Sequence, residues 1–167
     1  MSKSKFVGAS GEFYVAAYLS EAELLVALPR AGIPGSDLFV AKEKGGHPIR
    51  VQVKTGADAS MTKSVKHGTY YSWLTKYSVS ESHDANLWYA YVWLNDWRKD
   101  ATKVPEVFFI PSDVVANRMK ELQEENGNKP NSWSCFWMLA EKLDEYKGDK
   151  GLEKLRESMS SPSAPLT

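Results

Sequence analysis

Hydrophobic and polar positions near the start of the chain alternate with a helical period. Phe13, Ala16 and Ala17 fall on one stripe, in a segment that ends near residue 22. No proline interrupts the segment, and Ser10 at its start is a residue type that caps helices. The pattern therefore predicts a first helix that begins at Ser10.

A short apolar run over residues 24–29 predicts a strand after this helix. Pro34-Gly35 then has the chemistry of a type II turn, with proline at the second position and glycine at the third. The two features together predict a strand followed by a tight turn.

Two strand-like segments, residues 37–41 and 49–54, flank a charged loop that contains a glycine pair, which predicts a hairpin. If the hairpin is symmetric about the glycine pair, Asp37 lies opposite Lys54. Side chains two residues apart on a strand share a face, so Gln52 joins them there. The pattern thus predicts a polar cluster on one face of the hairpin and an apolar surface on the other.

The stretch after the hairpin, residues 56–68, is polar and is predicted as a loop. Residues 71–80 carry Trp73, Leu74 and Tyr77 and are predicted as a helix. Residues 87–95, LWYAYVWLN, are an almost continuous apolar and aromatic run, which is typical of a central strand buried on both faces.

Further elements are predicted in the last third of the chain. A strand over residues 107–110 leads into a helix over residues 112–125, whose first serine is the cap. After a polar break, another helix is predicted from Ser132 or Ser134 through Tyr146.

The predicted elements form an α/β domain. Their order is a helix, three strands, a helix, two strands and C-terminal helices, the last of which covers residues 151–157. This order predicts a mixed central sheet of about five strands flanked by helices. Residues 1–157 are expected to form a single domain, and residues 158–167, which are rich in serine and proline, a flexible tail.

Composition narrows the class of protein. The 167 residues suffice for one core, and the single cysteine, Cys135, cannot form an internal disulfide and is expected as a small core residue on its helix. The start, MSKSKFVGAS, lacks the apolar run of a signal peptide, and the longest apolar stretch, residues 87–94, is far shorter than the roughly 20 residues that cross a bilayer. We expect a cytoplasmic protein with no membrane span.

Charge is balanced over the whole chain but not along it. The 21 basic and 21 acidic residues cancel, whereas residues 42–80 hold seven basic and two acidic side chains, and residues 121–167 hold six basic and nine acidic ones. A basic stretch is typical of a surface that binds nucleic acid, and it is equally compatible with an ordinary solvated face. The neutral total therefore does not exclude nucleic acid as a partner.

Short motifs in the first third of the chain resemble those of a known enzyme family. Gly11-Glu12 on the first helix, Asp37 after the turn and Gln52-Val53-Lys54 in the second hairpin strand are similar to the motifs of the PD-(D/E)XK nuclease superfamily. The closest resemblance is to the branch with Holliday junction resolvases and Mrr-like restriction enzymes. The resemblance implies a restriction-endonuclease-like core of αβββαβ order in a nuclease-like domain, and metal-dependent endonuclease activity on DNA.

The chemistry of these residues suits phosphodiester hydrolysis. Mg²⁺ prefers oxygen ligands, and Asp37 is the best candidate, with the amide oxygen of Gln52 beside it. The resemblance adds the backbone carbonyl of Val53 and a second carboxylate, Glu12, from the first helix. Lys54 would hold the attacking water or stabilise charge on the phosphorus. The expected cofactor is therefore Mg²⁺ or Mn²⁺.

One position departs from the family pattern. Most members carry Asp or Glu where this chain has Gln52, although glutamine does occur there in Mrr-like members. The change removes one negative charge from the metal site, so metal binding would depend more on Glu12. Each residue also has a purely structural alternative. Asp37 and Lys54 could form an ion pair, and Glu12 could be a favourable charge near the positive end of its helix. Gln52 and Lys54 could be the polar face of an exposed strand.

Candidate contacts to nucleic acid follow the metal motif. Lys63, Lys66, His67, Tyr70 and Lys76 interleave cations with rings, as is typical of stacking on unpaired bases beside phosphate contacts. Packing inside the domain is the alternative for the rings of this region.

The expected partner is DNA, duplex or branched. Cutting two strands calls for two sites, so a homodimer is expected. Two other hypotheses stay open, namely a non-catalytic nucleic-acid-binding relative of the same fold, and a protein-interaction module with its Trp-rich second half as the surface.

Overall fold

The computed structural model describes residues 3–29, 35–56, 61–64, 68–126 and 133–160. The helices are α1 (Lys3–Glu21), α2 (Ser112–Asn126), α3 (Ala140–Leu143) and α4 (Gly148–Ser158). The strands are β1 (Leu24–Ala27), β2 (Leu38–Lys42), β3 (Ile49–Gly56), β4 (Met61–Ser64), β5 (Gly68–Lys76), β6 (Leu87–Trp93), β7 (Glu106–Pro111) and β8 (Trp133–Leu139). Two short 3-10 helices cover Tyr77–Glu81 and Asp144–Tyr146.

Five strands form the central sheet, in the order β1-β2-β3-β6-β7. Strands β3 and β6 are parallel, and the other neighbours are antiparallel, so the sheet is mixed. A second sheet has the order β4-β5-β8. The predicted α/β class and the mixed central sheet of about five strands are confirmed.

Two hydrophobic cores lie on opposite faces of the central sheet. On one face α1 and α4 pack against aliphatic side chains of β2, β3 and β6, among them Val51 and Val53. On the other face the second sheet and α2 cover an aromatic core, in which the rings of Tyr91 and Phe136 stack at 4.5 Å. The indole nitrogen of Trp73 donates a hydrogen bond to the Val92 carbonyl at 2.9 Å and so ties the two sheets together.

The connection from β3 to β6 differs from the prediction. Residues 71–80, predicted as a helix, form the end of β5 and a 3-10 helix, and β4 lies within the stretch predicted as a loop. Tyr71, Trp73, Thr75 and Tyr77 are all buried, so the buried positions recur every second residue, as in a strand. The second helix of the expected αβββαβ order is therefore replaced by strands and a 3-10 turn.

The helix predicted through Tyr146 is also wrong over its first half. Residues 133–139 are strand β8, which pairs with β5 along its full length. Phe136 is buried opposite Trp73, whereas Cys135 is exposed and is not the small core residue that was expected. The apolar residues of this segment have a helical spacing. They nevertheless form a strand because β8 pairs with β5, about 60 residues earlier in the chain.

Helix α1 begins seven residues before the expected cap. Ser10 lies inside the helix, where its hydroxyl donates to the Phe6 carbonyl at 2.8 Å. The buried stripe is formed by Gly11, Val15 and Leu19 and not by the predicted set, since Phe13 is exposed. Apolar residues surround this helix on all sides, so its sequence does not identify the face that packs.

The remaining elements agree with the sequence. Strands β1, β6 and β7 and helix α2 form where they are predicted, and Leu87–Trp93 is buried on both faces apart from its last residue. The Ser112 hydroxyl at the start of α2 donates to the Ser82 carbonyl. At the C-terminal end Met159 is fully buried, so the domain continues past residue 157, and residues 161–167 of the predicted tail lie outside the described residues.

Within the described ranges, none of the helices combines the length and the apolar character needed to cross a membrane.

Candidate active site

The hairpin of β2 and β3 positions the polar cluster. Leu38 pairs with Val51 and Phe39 with Arg50, which shifts the register by two residues from the symmetric hairpin and brings Asp37 level with Gln52 instead of Lys54. A shift of two keeps every side chain on its predicted face. In the loop between the two strands, His47 N donates to the carbonyl of Met159 at 3.1 Å, a contact with the other end of the chain.

Where the backbone pairing of β2 and β3 ends, the Asp37 carboxylate accepts the next hydrogen bond from β3. Asp37 N donates to the Val51 carbonyl at 3.0 Å, and the next donor along β3, Val53 N, donates to Asp37 Oδ2 at 2.7 Å. The carboxylate is thereby held at the open end of the hairpin. The N–H and C=O of one strand residue point to the same side, so the Val53 carbonyl faces Asp37 as well.

Helix α1 approaches β3 closely enough to bring Glu12 to the same place. A Cβ atom on Gly11 would lie 1.8 Å from Thr55 Oγ1, so only glycine allows this contact. Thr55 Oγ1 itself is buried and has no hydrogen-bond partner among the described residues. The sequence offers no signal for Thr55, because a threonine in a strand is ordinary.

Electrostatics shows that three of the predicted residues lie together. Burial raises the pKa of Glu12, the Asp37 carboxylate raises it further, and Lys54 opposes both effects. Burial lowers the pKa of the Lys54 ammonium, an effect that Asp37 and Glu12 oppose and that Lys76 reinforces. Glu12 on α1, Asp37 directly before β2 and Lys54 on β3 therefore share one electrostatic environment.

The structural alternative of a direct ion pair is not supported. Asp37, Glu12 and Lys54 are all described, and no carboxylate oxygen of the first two lies within 4.0 Å of Lys54 Nζ. The three charges act on one another at longer range.

The donor atoms suit a hard cation with few anionic ligands. Two carboxylates, the Gln52 amide and the Val53 carbonyl are all oxygen donors, as Mg²⁺ prefers. Among the described residues no three His, Cys, Asp or Glu side chains are grouped to hold a metal ion. Binding of a divalent cation here would therefore depend on Glu12 and Asp37 as the two anionic ligands, and the other ligands would be the neutral oxygens of Gln52 and Val53.

The candidate contacts to nucleic acid are spread over the second sheet. Lys76 ends β5 and lies near Lys54, whose pKa it lowers. Lys63 is paired with Thr69 near the other end of β5, about 23 Å away along the strand. Tyr70 packs against Trp137 at 5.4 Å. Lys66 and His67 lie outside the described residues.

Other groups of the basic region serve the fold. Tyr71, Trp73 and Tyr77 are buried in the aromatic core, which settles their packing role. Arg50 lies two residues before Gln52 on β3 and forms an ion pair with Asp84. Of the described cations, Lys54 and Lys76 are those that the pKa shifts place beside the candidate site.

The fold and the polar cluster together characterise this chain. No family model matches it, and no curated protein and no solved structure is found to match it. The resemblance to the PD-(D/E)XK nucleases therefore rests on Glu12, Asp37, Gln52 and Lys54 themselves and on their arrangement.

The glycine contact generates a first prediction. Gly11→Ala places a methyl group against Thr55 and should push α1 away from β3, lowering the free energy of unfolding by about 2 kcal/mol or more. Gly8→Ala in the same helix is the matched control, because nothing lies within 4 Å of the added methyl group and helix propensity favours alanine by about 1 kcal/mol. Urea denaturation measures both. Equal stability of the two variants would contradict the close approach.

The burial of Lys54 generates a second prediction. The pKa of Lys54 is lower in the folded protein than in the unfolded protein, where it is about 10.5. Below the folded-state pKa the buried ammonium therefore lowers the free energy of unfolding. This destabilisation disappears as the pH rises toward 10.5, because the folded protein then releases the proton. Lys54→Met should therefore stabilise the metal-free protein at about pH 7 by roughly 1 kcal/mol, and by less at higher pH.

Urea denaturation in EDTA at several pH values measures this difference. Lys63→Met, at an exposed lysine, is the control and should change little. A Lys54→Met protein that is less stable than wild type at neutral pH would show that the ammonium is instead stabilised by its surroundings.

Proposed function

We propose that this protein is a metal-dependent DNA endonuclease with a restriction-endonuclease-like core. The observation that carries the proposal is the mutual electrostatic influence of Glu12, Asp37 and Lys54. Glu12 lies on α1, Asp37 directly precedes β2 and Lys54 lies on β3, so charges from three separate parts of the chain support the proposal. Clusters of groups with perturbed pKa values are typical of functional sites.

In the proposed site Asp37, Glu12, the Gln52 amide and the Val53 carbonyl would hold Mg²⁺ or Mn²⁺. When bound, the ion would neutralise the phosphate and favour hydroxide as the nucleophile. The hydrogen bond from Val53 N fixes the Asp37 carboxylate in place, so its orientation is set before any ligand arrives.

Lys54 would act on the reacting phosphate. Water attacks the phosphorus, one P–O bond breaks, and the leaving oxygen takes up a proton, which yields a phosphomonoester and a hydroxyl group. The Lys54 ammonium would hold the attacking water or stabilise the negative charge of the transition state, and its partial burial strengthens either interaction. Lys76, whose charge acts on Lys54, would contact a neighbouring phosphate.

Cleavage of DNA tests the proposal directly. Purified protein with Mg²⁺ or Mn²⁺ should nick or cut supercoiled plasmid or a branched junction, and Asp37→Ala and Lys54→Ala should lower the rate by about 100-fold or more. Lys142→Ala, at an exposed lysine of α3, is the matched control and should cut like wild type. Undiminished cutting by Asp37→Ala or Lys54→Ala would refute the assignment.

The non-catalytic alternative also has an observation in its favour, since with glutamine at position 52 the described residues supply two carboxylates to the cluster, Glu12 and Asp37, and no group of three. Isothermal titration with Mn²⁺ separates the two hypotheses. The endonuclease proposal predicts that Mn²⁺ binds to wild type, binds more tightly by about 10-fold to Gln52→Glu, and does not bind to Asp37→Ala. If wild type fails to bind Mn²⁺ even with DNA present, the chain is better described as a nucleic-acid-binding relative without catalysis.

A further inference from the structure

The outer face of α1 is apolar although it faces solvent. Phe6 is 61% exposed and Phe13 is 65% exposed, and Ser10 and Ala17 are exposed beside them. Successive helix residues are separated by about 100°, which places these four residues opposite the buried stripe centred on Val15. The surface that they form, here called the Phe6/Phe13 face, runs along most of the helix.

The charge pattern of α1 sets it apart from an ordinary surface helix. Glu12 is the one charged residue in the sequence between Phe6 and Ser20, and it is turned toward the candidate active site. A surface helix of a globular protein normally carries its charged residues on the face opposite the core. On α1 that face carries two phenylalanines and small residues instead.

We propose that the Phe6/Phe13 face binds the same face of a second copy of this chain, with the two helices antiparallel about a two-fold axis. In one register Phe6 lies opposite Ala17 of the partner subunit, and Phe13 lies opposite Ser10 of the partner subunit. Both pairs belong to one antiparallel register, because the step of seven residues from Phe6 to Phe13 on one helix matches the step of seven residues from Ala17 back to Ser10 on the other. Each ring thus meets a small residue, as a self-complementary two-fold interface requires.

The area of this interface sets its strength. An aromatic side chain buries about 150 to 250 Å², and Phe6 and Phe13 are 61% and 65% exposed, so the four rings of a dimer contribute on the order of 500 Å². Specific interfaces begin at roughly 1,200 Å² in total, and the rest must come from the small residues and flanks of two helices about 28 Å long. The dimer is therefore expected to dissociate in the micromolar range.

The arrangement places both candidate active sites on one side of the dimer. Glu12 lies on the flank of α1 nearest Asp37, whereas Tyr18 on the other flank contacts Phe109 of β7 and Asp149 of α4. The two-fold axis runs between the helices and perpendicular to them, so it keeps the Glu12 flanks on the same side. If the proposed function is correct, the two sites face one DNA molecule together, but the dimer itself rests only on the Phe6/Phe13 face.

Sedimentation velocity over roughly 5 to 200 µM protein tests the proposal. Wild type should shift from monomer to dimer within this range, and Phe13→Glu should stay monomeric throughout. Leu74→Glu is the matched control, because Leu74 is 59% exposed but lies on β5, and this variant should dimerise like wild type. Circular dichroism checks that each variant is folded. A monomeric wild type, or a Phe13→Glu protein that still dimerises, would overturn the proposal.

The antiparallel register has its own test. A spin label on Glu21→Cys, in a Cys135→Ser background that removes the exposed native thiol, reports the distance between the two labels of a dimer. Antiparallel pairing in the stated register separates the labelled positions by about 28 Å along the helix axes. Pulsed electron paramagnetic resonance should find about 30 Å, and a distance below about 20 Å would indicate parallel pairing and refute the register.

Discussion

The contact between Gly11 of α1 and Thr55 of β3 is the constraint on which the rest of the structure depends. The helix lies so close to the strand that a single methyl group would meet the Thr55 side chain. Because α1 is held at this distance, Val15 and Leu19 reach the aliphatic core of the central sheet. The same distance brings Glu12 within electrostatic range of Asp37 and Lys54. Stability and the candidate site therefore share one packing contact.

The second sheet lies on the opposite face of the central sheet and brings a further lysine toward the candidate site. Strand β5 packs on the central sheet through Trp73 and Tyr91, and it ends at Lys76 near Lys54. Burial shields the Lys54 ammonium from water and lowers its pKa, and the charge of Lys76 lowers it further. A charged group kept partly buried in this way opposes folding and gains influence on any ligand beside it.

The sequence predicted those features that depend on local patterns. The alternation of side chains along β3 predicts that Gln52 and Lys54 share one face. The observed register differs from the predicted one by two residues, which leaves each side chain on its predicted face because side chains alternate with a period of two. Local patterns do not contain the long-range contacts of the loop between the two strands, such as the one between His47 and Met159. Strand β8 was mistaken for a helix for the same reason, since its burial pattern comes from pairing with β5.

Helix α1 shows why the cluster of charged residues is easier to predict from the sequence than the packing around it. Glu12, Asp37 and Lys54 are charged residues among apolar ones, and the structure brings them together, whereas Phe13 and Val15 are both apolar and differ only in the neighbours that cover them. Arg50 is paired with Asp84, and among the described cations of the basic stretch Lys54 and Lys76 are those that the pKa shifts place beside the cluster. If the proposed function is correct, one copy would gain little affinity for DNA from these two cations. Two copies joined through α1 would add their contacts on one side, because binding at the first site makes binding at the second effectively intramolecular.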